Sequence, residues 1–320
     1  MRTGLIIAGM HRSGTSAMTR VCNILGAKLG DHILTTDMFN PTGHWEHAES
    51  MAMNRRILRT LGGSAGWVKP IFPHRISPQV HREITERIID VVRTDFSDTD
   101  FWCVKDPEIS RLYPFWISAL EQARISPKIL LMVRNPEEVA ASLRRRNGFA
   151  VNKSLLLWLR YNLEAFSATQ SHPRAIVFHD RLMTDWRGTI AAVQDGCGIA
   201  FPDLNATNSQ TVDLFLKSDL WHHKAVGEPG DSGALLDMAR CVYRAILSTD
   251  AASRENVLAD AAAKLAATDR SLGSLRNPPL ASELAREIGR IYTVEKLKFI
   301  LRPARRMVQG SAALAALMFG

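Results

Sequence analysis

The sequence predicts an α/β fold in which a parallel sheet is flanked by helices and followed by a helical C-terminal region. Short apolar runs alternate with amphipathic stretches up to about residue 205, which is typical of such a sheet. Beyond that point Ala-rich, charge-laced helical patterns dominate. With 320 residues, 46% of them apolar, the chain can bury a large core. We therefore expect a core domain over 1–205 and a helical region over 206–320 that packs on it.

Four short runs, apolar and rich in β-branched or aromatic residues, predict the strands of this sheet. They lie at 5–9, 101–105, 129–133 and 175–179. Helical periodicity is found at 14–27, 50–61, 79–94, 109–124, 136–146, 153–171 and 187–196, and again at 250–268 and 281–300. Because parallel sheets bind ligands at the carboxyl ends of their strands, we expect a site where these strands end.

The first strand runs into a turn bracketed by Gly9 and Gly14, and an amphipathic helical pattern follows directly. Strand, loop and helix N-terminus form a P-loop-type arrangement, because backbone N–H groups and the helix dipole converge on one spot and favour an anion there. Nucleoside triphosphatases place a Lys after the second glycine, where this chain has Thr15. The cation is instead Arg12, inside the loop. The loop thus predicts an anion site that differs from that of a kinase or an ATPase.

The segment 129–148 predicts a second group that binds phosphate. A buried strand ends at Arg134, and Asn135 and Pro136 are residues typical of a helix start. Ser142 follows two helical turns later. A guanidinium and a hydroxyl at the carboxyl edge of a sheet suit a phosphate monoester. In the alternative interpretation, Arg134 pairs with a carboxylate and Ser142 is merely tolerated in the helix.

The two segments together resemble the two signatures of the sulfotransferases that use 3′-phosphoadenosine 5′-phosphosulfate (PAPS). Residues 12–15 read Arg-Ser-Gly-Thr, like that family's 5′-phosphosulfate loop, and residues 134–142 match its 3′-phosphate motif, Arg-Asn-Pro, five residues, then Ser. The resemblance implies PAPS as cosubstrate and no requirement for a metal ion. It also implies a set of cofactor-binding residues: His11, Arg12, Ser13, Gly14, Thr15, Ser16, Arg134 and Ser142.

Three further segments resemble bacterial, carbohydrate-type members of the family. They are 40–46 (Asn-Pro-Thr-Gly-His-Trp-Glu), 102–107 (Trp-Cys-Val-Lys-Asp-Pro) and 179–182 (His-Asp-Arg-Leu). The chain also departs from the family pattern. Many members carry Lys where Arg12 stands; Arg keeps the charge but cannot act as an acid. The Arg-Lys-Gly loop of the cytosolic animal enzymes is missing from the sequence, so the adenine contacts stay unassigned.

The resemblance implies roles for three catalytic side chains: Arg12, Lys105 and Glu46. Arg12 and the loop N–H groups would stabilise the leaving phosphate as its charge grows. Lys105, at the end of a predicted strand, matches a lysine that similar enzymes keep near the sulfonate. An ion pair between Lys105 and the adjacent Asp106 is the structural alternative.

Glu46 occupies the position of the general base in the carbohydrate-modifying relatives, whereas the cytosolic animal enzymes use a His. We expect burial beside Trp45 to raise the pKa of Glu46, which would make it a better base. Three neighbouring side chains compete for the role: His44, His47 and Glu49. In the structural alternative, Glu46 caps the helix predicted at 50–61.

The resemblance implies that Arg12, Lys105 and Glu46 serve the transfer of a sulfuryl group from PAPS to an acceptor hydroxyl, in line and without a metal. The carbohydrate-type segments favour a glycan or glycolipid as the acceptor. Two other classes stay open at this point. One is a P-loop kinase-like enzyme with a degenerate loop; the other is a non-catalytic nucleotide-binding module.

The net charge of +8 raises the question of partners and location. Basic residues are scattered apart from clusters at 144–146 and 302–306, so we expect no nucleic acid partner. Neither a signal peptide nor an apolar run of 18 residues is evident, so we expect a cytoplasmic protein. The segment 302–320 is basic and then apolar, which suits peripheral contact with a membrane. It suits packing on its own domain or on a second subunit equally well.

Overall fold

A computed structural model describes residues 2–34, 43–71, 76–217, 233–274, 282–296 and 298. Two of the segments singled out above lie outside these residues. They are 40–42, the start of the segment that leads to Glu46, and 302–320, for which membrane contact was one expectation.

The sheet has four parallel strands in the order β2-β1-β3-β4. They are β1 (Thr3–Gly9), β2 (Phe101–Lys105), β3 (Ser126–Val133) and β4 (Arg174–Phe178). All four predicted strands and the predicted α/β class are confirmed. Because β1 pairs with both β2 and β3, the loop after β1 lies between the ends of those two strands. The motifs that follow β1, β2 and β3 therefore meet at one edge of the sheet.

Helices flank this sheet and connect its strands. In chain order they are α1 (Thr15–Ile24), α2 (Ala48–Thr60), α3 (Pro78–Asp95), a 3-10 helix (Pro107–Arg111), α4 (Tyr113–Gln122), α5 (Pro136–Asn147), α6 (Val151–Ala168), α7 (His179–Thr184), α8 (Trp186–Cys197), α9 (Ala206–Lys217), α10 (Ala234–Leu247), α11 (Ala251–Ser274) and α12 (283–296).

Each predicted helix has a counterpart in the structure. One helix and one strand differ in detail from the prediction. The helix predicted at 109–124 is a 3-10 helix followed by α4, because Asp106 caps the first of them and Pro114 stands in the first turn of the second. The strand predicted to end at His179 ends one residue earlier, and His179 begins α7. With six residues, α7 is too short to show a helical period.

Alternating residues of the strands point to two apolar clusters, one on each face of the sheet. Ile6 belongs to the larger cluster, which also contains residues of α2 to α6. Leu5 belongs to the smaller one, with residues of α1, α8 and α9. Val242 of α10 and Leu265 of α11 are buried in the same cluster as Ile6. Residues of α10 and α11 thus share the apolar cluster on one face of the sheet, and the division into two regions at residue 205 stays a prediction.

Across the described residues, none of the helices combines the length and the apolar character needed to cross a membrane.

Candidate active site

The loop after β1 has the geometry of an anion cradle. The N–H of Ser13 donates to the carbonyl of Met10 at 3.1 Å, which closes the turn. Gly14, with φ of +89°, is the N-cap of α1 and has no side chain to cap it, and the first turn of α1 carries no acidic residue. The first N–H groups of a helix have no intrahelical acceptor, so this end of α1 favours an anionic ligand.

Gly14 also lies close to His179, the residue that follows β4. A Cβ at this position would lie 2.4 Å from Cδ2 of His179, in addition to the strain of its positive φ. His179 is 7% exposed and begins α7. Its burial, and next the nearby charge of Arg134, lower the pKa of the imidazole to about 3. The imidazole of His179 is therefore neutral at physiological pH and packs beside the loop at Gly14.

A cavity of about 150 Å³ opens at the carboxyl edge of the sheet, in front of the loop. Residues from the ends of all four strands line it: His11, Arg12, Gly14, Thr15, Ser16, Ala17, His44, Glu46, Lys105, Pro107, Arg134, Arg146, His179 and Met183. Its charged side chains are four cations and, among the described residues, a single carboxylate, Glu46. The cavity therefore suits a ligand that carries several negative charges.

The two sequence motifs are bonded to each other at this cavity. Nε of Arg12 donates to Oγ of Ser142 at 2.9 Å, across 130 residues of chain. An Nη of Arg134 donates to the backbone carbonyl of Arg12 at 3.3 Å. Arg12 has φ of +70°, a left-handed conformation that is uncommon for a residue with a side chain. Ser142 is 7% exposed and contacts the cavity through Arg12, since it is not itself part of the lining.

The contacts of Arg134 agree with both of its interpretations, an ion pair with a carboxylate and a place in the anion site. Its Nε lies 2.7 Å from Oε2 of Glu138, so the ion pair with a carboxylate exists. Arg134 nevertheless lines the cavity. Trp158 fixes the chain direction at the end of β3, because its Nε1 donates to the carbonyl of Arg134 at 3.0 Å. Glu138 is half-buried, and its ion pair leaves the charge of Arg134 at the cavity.

Lys105 and Glu46 form a short ion pair. The distance from Nζ of Lys105 to Oε1 of Glu46 is 2.6 Å, and the side chains are 2% and 13% exposed. The expected alternative partner of Lys105, Asp106, is bonded elsewhere. It accepts from Nδ2 of Asn54 at 2.9 Å and from the backbone N–H of Glu108 at 2.8 Å. Lys105 is thus directed at the cavity carboxylate and not at its sequence neighbour.

The pKa of Glu46 is lower than usual, which corrects the expectation from the sequence. Burial raises this pKa, but the charge and the hydrogen bond of Lys105 act in the opposite direction and prevail. Trp45, which we expected to bury the carboxylate, has its ring under the guanidinium of Arg20 at 4.5 Å. Glu46 is therefore ionised and able to accept a proton, and Lys105 controls how strongly it holds one.

The other candidates for the base occupy different positions. His47 is 1% exposed and accepts from the backbone N–H of Ser50 at 3.3 Å, so His47 and not Glu46 caps α2. Burial lowers the pKa of His47 despite the nearby Asp95. Glu49 is exposed in the first turn of α2. Of these competitors, only His44 lines the cavity together with Glu46.

The structure qualifies two more of the predicted cofactor residues. His11 lines the cavity, and burial lowers its pKa to about 4, so its imidazole is neutral; its Nε2 lies 3.4 Å from the hydroxyl of Tyr161. Ser13 is fully buried, and its hydroxyl has no hydrogen-bond partner among the described residues. The loop therefore offers its backbone and Arg12 to a ligand more readily than the hydroxyl of Ser13.

Arg146, His179 and Met183 line the cavity, although the sequence did not suggest them as site residues. Arg146 belongs to a run of three arginines in the last turn of α5, where a role in balancing the helix dipole is a sufficient explanation. His179 belongs to the segment 179–182, which resembles a pattern of the sulfotransferases. That resemblance is a signal that could have identified His179 as a site residue.

The described part of the chain contains no group of three or more His, Cys, Asp or Glu side chains that could hold a metal ion.

No protein-family model matches this chain, and no curated protein matches it significantly. Solved structures with a distant likeness to the chain include two sulfotransferases. Sulfotransferase STF1 from Mycobacterium tuberculosis H37Rv is 14% identical, with a TM-score of 0.37, over 67% of this chain and 71% of that one. The sulfotransferase domain of the Synechococcus PCC 7002 olefin synthase is 12% identical, with a TM-score of 0.35, over 83% of this chain and 94% of that one. Likeness at this level establishes no function for the chain.

Proposed function

We propose that the chain is a sulfotransferase that moves the sulfuryl group of PAPS to a hydroxyl of a glycan or glycolipid. One observation carries the proposal: a cavity that joins an uncapped helix N-terminus, four cations and one ionised carboxylate. The cations and the helix end suit a donor with phosphate and sulfonate groups. The carboxylate suits removal of a proton from a neutral acceptor.

In the proposed complex, the 5′-phosphosulfate lies on the loop over the N-terminus of α1. Arg12 contacts the phosphate that becomes the leaving group, together with the backbone N–H groups that begin at Gly14. Arg134 binds the 3′-phosphate. Its place at the end of β3, next to the loop, supports this assignment, since it lines the same cavity.

The proposed transfer has one step. The acceptor oxygen forms a bond to sulfur as the bond between sulfur and the bridging phosphate oxygen breaks, and Glu46 takes the proton of the acceptor hydroxyl. The electron pair of the broken bond remains on the phosphate, and Arg12 stabilises the resulting charge. Side chains and N–H groups supply this stabilisation in our proposal, so the step includes no metal ion.

Lys105 links donor binding to the strength of the base. A bound sulfonate would compete with Glu46 for the ammonium group of Lys105, because both are anions at the same cavity. As Lys105 turns to the sulfonate, its effect on Glu46 weakens, and burial then raises the pKa of the carboxylate. Glu46 thus becomes a stronger base once the donor is in place.

Calorimetry with three nucleotides tests the donor assignment. Adenosine 3′,5′-bisphosphate should bind about ten- to a hundredfold more tightly than 5′-AMP, because a charge-assisted hydrogen bond to the 3′-phosphate contributes about 1.5–3 kcal/mol. ATP with magnesium should bind no better than 5′-AMP. Equal affinities for the bisphosphate and 5′-AMP would contradict the 3′-phosphate assignment, and preference for ATP would favour a kinase-like enzyme.

Transfer itself is tested with labelled PAPS and a panel of saccharide and glycolipid acceptors. The proposal predicts label on a hydroxyl of at least one of them. Tight binding of the bisphosphate without transfer to any acceptor, over the whole panel, would indicate a nucleotide-binding module.

A further inference from the structure

The two ring nitrogens of His11 have different surroundings. Nε2 lies 3.4 Å from the hydroxyl of Tyr161, and the two rings meet edge to face with their centroids 5.6 Å apart. Nδ1 has no hydrogen-bond partner among the described residues, yet it does not belong to the buried polar atoms that lack one. Since the imidazole is half-buried and lines the cavity, Nδ1 is the nitrogen that is open to a ligand.

Tyr161 decides which of these nitrogens carries the proton. Its hydroxyl is a single O–H donor, and it donates to the main-chain carbonyl of Ala65 at 2.9 Å. Because a carbonyl can only accept, the phenol hydrogen is used there, and the phenol oxygen accepts from Nε2 of His11. Tyr161 is fully buried, and burial raises the pKa of its phenol, so the hydrogen stays on the oxygen. The neutral imidazole therefore carries its proton on Nε2 and a lone pair on Nδ1.

The charges around His11 place it beside the proposed base. After burial, the charges that act most on the pKa of its imidazole are Glu46, which raises it, and Lys105, which lowers it. For His179, on the other side of the loop after β1, the charge that acts on the pKa is Arg134. In the proposed complex, His11 thus lies on the side of the acceptor and His179 on the side of the donor.

An unprotonated nitrogen at this place selects the kind of group that can bind it. A sulfonate or a phosphate dianion has no hydrogen to donate, so the lone pair of Nδ1 would repel it. A neutral hydroxyl has the hydrogen that Nδ1 requires. In the proposed transfer, Glu46 takes the proton of one hydroxyl, which leaves Nδ1 of His11 to a second hydroxyl of the same molecule.

We propose that Nδ1 of His11 accepts a hydrogen bond from a second hydroxyl of the acceptor, and that Tyr161 is the positioning residue that holds His11 in this tautomer. The acceptor is then a polyol with neighbouring hydroxyls, such as a pyranoside, and not a simple alcohol. The inference rests on the proposed function for the reaction that follows. The tautomer and the binding of a pyranoside are properties of the protein that can be measured without it.

NMR of protein with isotope-labelled histidine tests the tautomer. At pH 7 the wild type should show His11 with a protonated Nε2 and an unprotonated Nδ1. In Tyr161→Phe the imidazole loses the oxygen that fixes its proton, so both tautomers should be populated. Tyr113→Phe is the matched control, because this buried hydroxyl has no hydrogen-bond partner among the described residues. A protonated Nδ1 in the wild type, or an unchanged tautomer in Tyr161→Phe, would overturn the inference.

Titration with pyranosides, followed by NMR, tests the hydrogen bond. The probes are methyl β-D-galactopyranoside and methyl β-D-glucopyranoside, added to protein that is saturated with adenosine 3′,5′-bisphosphate. His11→Asn keeps an amide oxygen close to the place of Nδ1, whereas His11→Gln keeps its amide near that of Nε2. Binding of a pyranoside should be about two- to tenfold weaker in His11→Gln, as for one lost hydrogen bond, and His11→Asn should recover most of the affinity.

Three results of this titration would overturn the inference. They are the absence of pyranoside binding to the wild type, equal pyranoside affinities of the wild type and His11→Gln, and binding of cyclohexanol as tight as that of the pyranosides. Cyclohexanol is the control ligand because it has a ring of the same size and a single hydroxyl.

Failure of this inference and failure of the proposed function give different results. If pyranosides bind through His11 but no label moves from PAPS to any acceptor, the proposed function fails and the polyol site remains. If label is transferred while His11→Gln keeps its pyranoside affinity and loses affinity for the bisphosphate, the inference fails. His11 is then a cofactor residue, as the resemblance to the sulfotransferases implies.

Discussion

Glu46 and Lys105 show how one contact sets the chemistry of a residue. Burial by itself raises the pKa of the Glu46 carboxyl, but Lys105 at 2.6 Å lowers that pKa and prevails, so the group is ionised. The same ion pair keeps Glu46 a weak base until another anion pairs with Lys105. The chemistry of the pair is therefore best measured through its dependence on pH and on the donor.

Glu46→Gln should stop the reaction without preventing donor binding. The amide keeps the shape of the side chain but cannot accept the proton, so kcat should fall by about 10²–10⁴ with PAPS affinity nearly unchanged. The acidic limb of the pH–rate profile should disappear as well. Glu49→Gln, which changes an exposed carboxylate in the first turn of α2, is the matched control and should retain full activity. An active Glu46→Gln enzyme would rule out the carboxylate as the base.

His47→Ala completes that comparison, because it removes an N-cap and not a cavity residue. The folded protein should lose about 1 kcal/mol of stability, the typical contribution of a cap, with kcat little changed. Thermal unfolding and steady-state kinetics measure the two effects separately. A folded His47→Ala protein without activity would transfer the role of base from Glu46 to the histidine.

Lys105→Met should move the acidic limb of kcat/KM to higher pH. The profile of kcat/KM reports groups of the free enzyme, in which Lys105 lowers the pKa of Glu46. Without the ammonium, burial is the dominant effect and raises that pKa, so a larger fraction of Glu46 is protonated at neutral pH. Lys28→Met, at an exposed position, should leave the limb in place. A limb that does not move would show that Lys105 and Glu46 are independent in solution.

The loop and α1 form the element on which the anion site depends. Gly14 combines a left-handed backbone, the N-cap of α1 and a close approach to His179. A helix such as α5 carries its end signals in its own residues: the side-chain oxygen of Asn135 accepts from the backbone N–H of Glu137, and Gly148 stands at the C-terminal end. α1 instead has at its N-cap Gly14, a residue without a side chain, which leaves the N-terminus of the helix to a ligand.

Gly14→Ala should abolish anion binding at the loop. The added Cβ would lie 2.4 Å from the ring of His179 and would also be strained at φ of +89°, so the loop must shift. Gly148→Ala is the matched control, because Gly148 has φ of +63° with open space around its missing Cβ. Both variants should lose about 1 kcal/mol of stability from backbone strain. Only Gly14→Ala should lose pyrophosphate binding by calorimetry, and equal binding by the two would contradict the close approach.

At the scale of the whole molecule, two buried carboxyls beside the site couple its stability to pH. Burial raises the pKa of Asp106 to about 7, with Glu46 adding to the effect, and raises that of Glu108 to about 8, with Asp106 adding to it. Oε2 of Glu108 has no hydrogen-bond partner among the described residues. The folded protein therefore keeps protons on these groups at a pH at which the unfolded chain has released them.

Glu108→Gln should stabilise the protein increasingly as pH rises. Because the pKa of Glu108 is raised in the folded state, its stabilising contribution is complete below its unfolded pKa and is lost as pH rises to about 8. The free energy of unfolding of Glu108→Gln, relative to wild type, should grow by about 1–3 kcal/mol between pH 5 and pH 8. Urea unfolding at both pH values measures it. Glu86→Gln, on the exposed face of α3, should show no such change, and a flat difference for Glu108→Gln would contradict its raised pKa.

The sequence by itself determined the sheet, the loop and most helix ends. These features depend on signals within a few residues: apolar runs for the strands, Gly9 and Gly14 for the loop, and Asn135 with Gly148 for α5. It also placed Lys105 and Arg134 at strand ends and Arg12 in the loop after β1, so their meeting in one cavity followed from the parallel sheet. Local patterns could go no further, since α7 has only six residues and no helical period.

Only the tertiary structure decided which side chains face each other. Lys105 could pair with Asp106 beside it or with Glu46, 59 residues away, and the distant partner won because Asp106 is bonded to Asn54 and to the backbone of the 3-10 helix. Arg12 and Ser142 are 130 residues apart and meet because β1 and β3 are neighbours in the sheet. The pKa of Glu46 follows from the same cause, since a charge at 2.6 Å outweighs burial. Such contacts depend on distances in space, which no spacing along the chain encodes.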